Sequence, residues 1–216
     1  MKKVLLEVDI RFERALLAVD KSEAERILVQ AAAEASGLSV LEELVTPALE
    51  RVGKAWEDGR VALSQTYMSG RICEELLDTL LPQTQAEATE GPKIAVTTLG
   101  DHHTLGKRLV CASVRSAGFQ VLDYGAGLGP EEVVDRLLRD NIEVLMISVH
   151  ILPSALRISE VFEHLRRNES DCKIIVGGAL FIMDPGLWQE VGADAMGRTA
   201  SEAPALIRQV LSKEFP

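Results

Sequence analysis

The residues best suited to chemistry in this chain lie close together in Gly100-Asp101-His102-His103-Thr104-Leu105-Gly106. An imidazole is a good ligand for a borderline transition metal, and it keeps a second ring nitrogen for another partner. A carboxylate on that second nitrogen fixes the tautomer and makes the ring a better donor. His103 is therefore the candidate metal ligand and Asp101 its support. Two further clusters carry small residues. Ser148 follows forty-one residues after Gly106 (107–147), and Gly177-Gly178 follows twenty-six after His150 (151–176). A hydroxyl at Ser148 could donate to Asp101 and complete a relay. With no Cβ at Gly106, Gly177 or Gly178, a flat, bulky group could pass against the backbone.

These clusters must be positioned by a sheet. Apolar runs predict strands at about Ile94–Thr98, Gln120–Tyr124, Val144–Ser148, Ile174–Val176 and a short Ala195–Met196. Helical patterns fall between them, at about 105–116, 131–139, 154–167 and 185–191, with a last one over about 201–211. The alternation implies an α/β, doubly wound, five-stranded parallel sheet of flavodoxin or Rossmann-like form. In it strands one, three and four are neighbours, so the three clusters would line one crevice at the carboxyl edge. Residues 4–81 read as helices only, a bundle joined by short connections. Ile10, Leu16, Leu17 and Val19 mark the first helix. Asp20 or Ser22 can cap the second, which Gly37 would stop, and Ser39 with Glu42 forms another capping pattern. A short helix then precedes a longer one from Pro47 to Asp58, ended by Gly59, and Ser64 would cap the last. The organisation expected is a helical domain at 1–82, a polar, Pro-flanked linker at 83–92, and the α/β domain at 93–216.

The totals are those of a folded, soluble chain. Of its 216 residues 47% are hydrophobic and 26% charged, and the net charge is −10. That charge disfavours nucleic acid, which needs a basic face, and no stretch is apolar enough to span a bilayer. Cys73, Cys111 and Cys172 are scattered without a CxxC, and Glu7, Asp9 and Arg11 break the apolar start, so a reducing cytoplasmic setting is expected. His164 near a helix end suggests no function. His102 should turn to solvent or backbone, since neighbouring loop side chains diverge. Gly125-x-Gly127-x-Gly129 lacks the spacing of a dinucleotide fingerprint.

Asp-x-His-x-x-Gly, then Ser, then Gly-Gly at these intervals resembles the motif of cobalamin-binding domains. They occur in methionine synthase, corrinoid methyltransferase proteins, some mutases and cobalamin-dependent regulators. The resemblance extends to a helical domain ahead of the α/β domain. It implies a corrinoid cofactor bound base-off and His-on, with cobalt on His103. Asp101 and Ser148 would form the relay, and Gly106, Ser148, Gly177 and Gly178 would line the pocket for the displaced benzimidazole tail. The helical domain would cover the upper face, with Trp56 and Tyr67 the candidates by position. The implied function is a corrinoid methyl carrier between methyl-donor and methyl-acceptor methyltransferase proteins. The alternative is a cobalamin-dependent sensor acting on a signalling protein, and a homodimer is compatible with either. The chain departs from the family in two places. Ser148-Val149-His150 stands where Ser-x-Leu is usual, leaving His150 either to pack its ring in place of the leucine or to face the corrin edge. The Glu-His pair that light-responsive regulators carry after Trp is replaced by Thr66-Tyr67.

Overall fold

The computed structural model describes residues 2–81 and 91–212. The expected linker at 83–92 therefore lies, except for Gly91 and Pro92, outside the described residues. The chain forms two compact units, Met1–Gln83 and Thr84–Pro216.

The first unit is helical: α1 (Lys2–Leu17), α2 (Lys21–Ala32), α3 (Gly37–Val40), α4 (Thr46–Glu57) and α5 (Leu63–Leu80). Helical spacing builds its core, from Phe12, Ala15 and Leu16 on α1, Ala24, Ile27 and Leu28 on α2, and Ile72, Leu76 and Leu77 on α5. Ile10 and Val19, expected in this core, are exposed instead. Val19 lies beyond α1 in a left-handed turn (φ 56°), which takes it off the packed face. Asp20 caps α2 by accepting from the Glu23 N–H at 2.9 Å. Gly37 does not stop α2, which ends at Ala32; it opens α3, where Ser36 caps the Ser39 N–H. Ser39 instead bonds Glu43. A π-helical turn, Leu41–Val45, carries α3 into α4, with Thr46 N–H donating to the Leu41 carbonyl. This wider turn ends just before Pro47, which has no N–H to give to a preceding carbonyl. Ala62, not Ser64, precedes α5. The Gln65 side chain accepts from the Ala62 N–H and donates to the Leu17 carbonyl, tying the start of α5 to the end of α1.

The second unit alternates β1 (Ile94–Thr97), α6 (Leu105–Ser116), β2 (Val121–Asp123), α7 (Pro130–Asp140), β3 (Val144–Ser148), α8 (Leu152–Leu156), α9 (Ile158–Arg167), β4 (Lys173–Gly177), α10 (Ala179–Met183), α11 (Leu187–Glu190), β5 (Ala195–Gly197) and α12 (Ala203–Ser212). The strands form one parallel sheet in the order β2-β1-β3-β4-β5, so strands one, three and four are neighbours as expected. Alternate residues serve opposite faces. Ala95, Leu145, Ile147, Ile174 and Val176 pack under Val133, Val134 and Leu137 of α7 and Ile158, Val161 and Leu165 of α9. Ile94, Val96, Val144, Met146 and Ile175 pack under Cys111 and Val114 of α6 and Ile207 and Val210 of α12. Burial on both faces is why these strands read as continuous apolar runs. The single helix expected over 154–167 is two, α8 and α9, divided at Arg157, and that over 185–191 is the short α11, preceded by α10.

At the carboxyl edge Ser148 pairs in register with Gly177, and Gly177 with Gly197. Three strand ends thus place almost no side chain in a row beside the β1–α6 loop.

Candidate functional site

The β1–α6 loop is held from below by buried hydroxyls. Thr98 Oγ1 donates to the Asp101 carbonyl at 2.5 Å and accepts from the Gly127 N–H at 3.3 Å. Thr97 Oγ1 donates to the Gly125 carbonyl. Gly100, at φ 58°, donates its N–H to Leu128, so this loop and the β2–α7 loop are joined by backbone as well. His102 lays its ring on Gly127, at φ 76°, where a Cβ would occupy the same space. The glycine-rich turn is thereby explained as a seat for His102, which diverges from its neighbour as expected.

Asp101 and His103 come together. Asp101 Oδ1 accepts from the His103 backbone N–H at 3.1 Å and lies 2.5 Å from His103 Nδ1. A proton on Nδ1 answers the carboxylate and leaves Nε2 as the lone-pair nitrogen. The Asp101 side chain is 4% exposed and that of His103 58%. One end of the pair is thus anchored in protein and the other is offered outward. Burial alone would raise the Asp101 carboxyl. The hydrogen bonds from the His103 ring and backbone outweigh it and hold the group below the usual carboxylate range. Asp101 Oδ2 is buried with no hydrogen-bond partner.

Ser148 does not fill that vacancy. Its Oγ lies beside Gly106, 2.6 Å from where a Cβ would stand, so the expected Ser148–Asp101 hydrogen bond is not formed. The reason is register: Ser148 ends β3 beside α6, with Gly106 in the first turn of that helix. Across the row, a Cβ on Gly177 would come within 3.2 Å of the Gly197 carbonyl. Gly178, at φ 128°, could carry no Cβ without striking the Val149 carbonyl. Gly106, Ser148 and Gly177 are thus neighbours at the carboxyl edge, with Gly178 next in the chain, all four partly buried.

The sequence reading missed three features here. His150 neither buries itself at this edge nor stands apart: its exposed ring lies against His103, with centroids 4.3 Å apart and planes at 33°. Partial desolvation, and then the neighbouring His103, keep its imidazole below the ordinary value, against a smaller opposing effect of Asp101. Lys107 is buried on α6 and bonds both oxygens of Asp123 at the end of β2, Oδ2 at 2.6 Å. Asp123 also accepts from the Gly125 N–H, so this pair fixes the base of the glycine-rich turn. Trp56 and Tyr67 are exposed in the helical unit, at the end of α4 and the start of α5, and Leu63 shares that exposure without having been singled out.

Among the described residues no three His, Cys, Asp or Glu side chains converge on a bare metal ion. One outward imidazole on a buried carboxylate suits a metal that brings its other ligands with it, and a strand edge of glycines and one serine suits a bulky planar appendage of such a group. The donor set and this edge thus fit a corrinoid.

Comparison with known proteins agrees. Residues 91–207 match the B12 binding domain family, and residues 10–81 match a second family of the same description. Monomethylamine corrinoid protein 2 of Methanosarcina mazei is 29% identical over 185 residues, covering 82% of this chain and 84% of that protein. The structure of the monomethylamine corrinoid protein of Methanosarcina barkeri superposes with a TM-score of 0.82 at 24% identity, over 95% of this chain and 99% of that one. The methanol:cobalamin methyltransferase complex MtaBC of the same organism contains a chain of like fold, with a TM-score of 0.53 at 18% identity over 95% of this chain and 80% of that one.

Proposed function

The chain belongs to the B12-binding domain family, and on that premise we propose that it binds cobalamin base-off and His-on and acts as a corrinoid methyl carrier between partner methyltransferases. Bound cobalamin supplies a cobalt that can accept a methyl group from one partner and release it to another. The chain's own residues supply the rest. His103 would hold the cobalt through Nε2. Asp101 accepts a hydrogen bond from Nδ1–H, which orients the ring and leaves Nε2 as the nitrogen to offer. Gly106, Ser148, Gly177 and Gly178 line the pocket for the benzimidazole tail. Trp56 and Tyr67, exposed on the helical domain, are that domain's candidates for contact with the cofactor. The partners are methyl-donor and methyl-acceptor methyltransferases in the cytoplasm.

The observation that carries this reading is the half-buried pair, in which Asp101 anchors His103 Nδ1 while the ring faces outward. Two measurements test it. His103→Ala is expected to abolish the His-on absorption spectrum of bound cobalamin while the apo protein keeps its circular dichroism; an unchanged spectrum sinks the axial assignment. The reduced holo protein is expected to retain one labelled methyl group per chain from methyl iodide. A chain that takes up no methyl, yet changes oligomer size on illumination, would be a sensor and not a carrier.

A further inference from the structure

We propose that His150 is a positioning residue that fixes the plane of the His103 ring through ring-on-ring contact. The inference rests on the reading of His103 as axial ligand.

A hydrogen bond at one nitrogen pins an edge of an imidazole but leaves the ring able to rock about the line of that bond. Asp101 supplies the pin, with Oδ1 2.5 Å from Nδ1. The second constraint is His150, whose ring lies 4.3 Å from that of His103 at 33°. This is a tilted ring-on-ring contact, close to the short end of the centroid separations at which aromatic rings interact. The two constraints come from different parts of the fold. Asp101 belongs to the same loop as His103, so the two could move together. His150 extends from the end of β3, where Val149 is buried and its N–H is bound to the Gly177 carbonyl at 2.9 Å. His150 thus references the ring to the sheet itself. A leucine at this place would offer an apolar surface but no plane to match. The contact requires no charge on either ring.

The consequence is a donor nitrogen held in one direction before any ligand arrives, which lowers the ordering cost of coordination. Losing an aromatic contact of this kind corresponds to about three- to tenfold in an equilibrium constant. The His-on to His-off ratio of bound cobalamin is therefore expected to fall by that factor in His150→Ala and to return to near wild type in His150→Phe. His150 is exposed, so neither change should disturb folding. A second readout needs no cofactor. In the apo protein the carbon-bound protons of the His103 ring should carry a ring-current shift in NMR spectra, lost in His150→Ala and retained in His150→Phe. His103→Ala separates the possible failures. If it leaves the cobalamin spectrum unchanged, the axial reading falls and this proposal with it. If it abolishes the His-on spectrum while His150→Ala keeps both the wild-type ratio and the wild-type ring shifts, the positioning role alone is overturned. It is equally overturned if His150→Phe behaves as His150→Ala does.

Discussion

Gly106→Ala should separate folding from cofactor binding. Gly106 lies in the first turn of α6 and is not among the glycines with positive φ, so alanine fits its backbone. The added Cβ would meet only Ser148 within 4 Å, with Oγ at 2.6 Å and Cβ at 3.8 Å. That oxygen ends a short rotatable side chain and can swing to another staggered position, at about 0.5 kcal/mol if the new position is imperfect. Replacing glycine by alanine inside a helix gains roughly 0.8–1 kcal/mol, and roughly half of that is a fair value for a first turn. The two effects cancel to within about 0.5 kcal/mol, or about 2 °C in Tm for a unit of this size. Binding should respond quite differently. With Gly106 lining the proposed tail pocket, a methyl group added there would cost about 1–3 kcal/mol, or roughly 5- to 150-fold in Kd. Calorimetry of the apo protein and titration with hydroxocobalamin, read by absorbance, measure the two quantities. Wild-type affinity in a stably folded Gly106→Ala would refute the tail pocket. A fall in Tm of more than about 5 °C would refute the argument that Ser148 gives way.

Gly178→Ala should behave in the opposite manner, losing at least about 2 kcal/mol of stability, because φ 128° is glycine territory and the obstacle is the Val149 carbonyl, not a movable side chain. Asp123→Ala should cost more than Lys107→Met in urea unfolding, about 3 kcal/mol against about 1–2, since the side chains are 35% and 6% exposed and only Asp123 can turn to water when its partner is removed; equal costs would contradict this. Tyr124 donates its hydroxyl to Asp140 at 2.8 Å, and burial first, then that bond, raise the phenol above its ordinary value. A raised folded value stabilises below the unfolded one, so Tyr124→Phe should cost about 1 kcal/mol at neutral pH, and the gap should close as pH rises beyond about 10. Burial pushes Cys73 and Cys172 up to about 12 and Cys111 up to about 11, so a thiol reagent at pH 8 should react slowly with the native chain and with all three cysteines after denaturation.

The parts of this protein that show in its sequence are those whose partners are near in the chain or whose environment is uniform. β1, β3 and β4 are apolar runs because helices cover both their faces. Asp101 finds His103 two residues away, so the pair is visible as a motif. The hidden parts depend on register or on packing choices. Whether Ser148 reaches Asp101 or Gly106 is decided by where β3 ends relative to α6, which no spacing reveals. His150 meets His103 because Thr97 and Ile147 are paired across β1 and β3. Lys107 reads as a surface residue until Asp123 is found opposite it, since lysine is rarely buried unpaired. On α1 more than one apolar stripe was available, and packing chose Phe12, Ala15 and Leu16 over Ile10 and Val19. The division between α8 and α9 at Arg157 has no glycine or proline to mark it.

The row formed by Ser148, Gly177 and Gly197 has a further consequence. A pocket walled by large side chains can be lost or remade one substitution at a time. The pocket proposed here is a matter of phase between strands: a one-residue slip would bring Ile147, Val176 or Met196 to the places the small residues now hold. Changes in chain length are therefore unequal in effect. An extra residue in the turn between α9 and β4, at the far end of the sheet, can be absorbed before the strand begins. The same residue inserted within β4 would retain an apolar strand, and with it much of the fold, while closing the ledge. Gain and loss of cofactor among proteins of this architecture should follow insertions within the strands more closely than substitutions around the site.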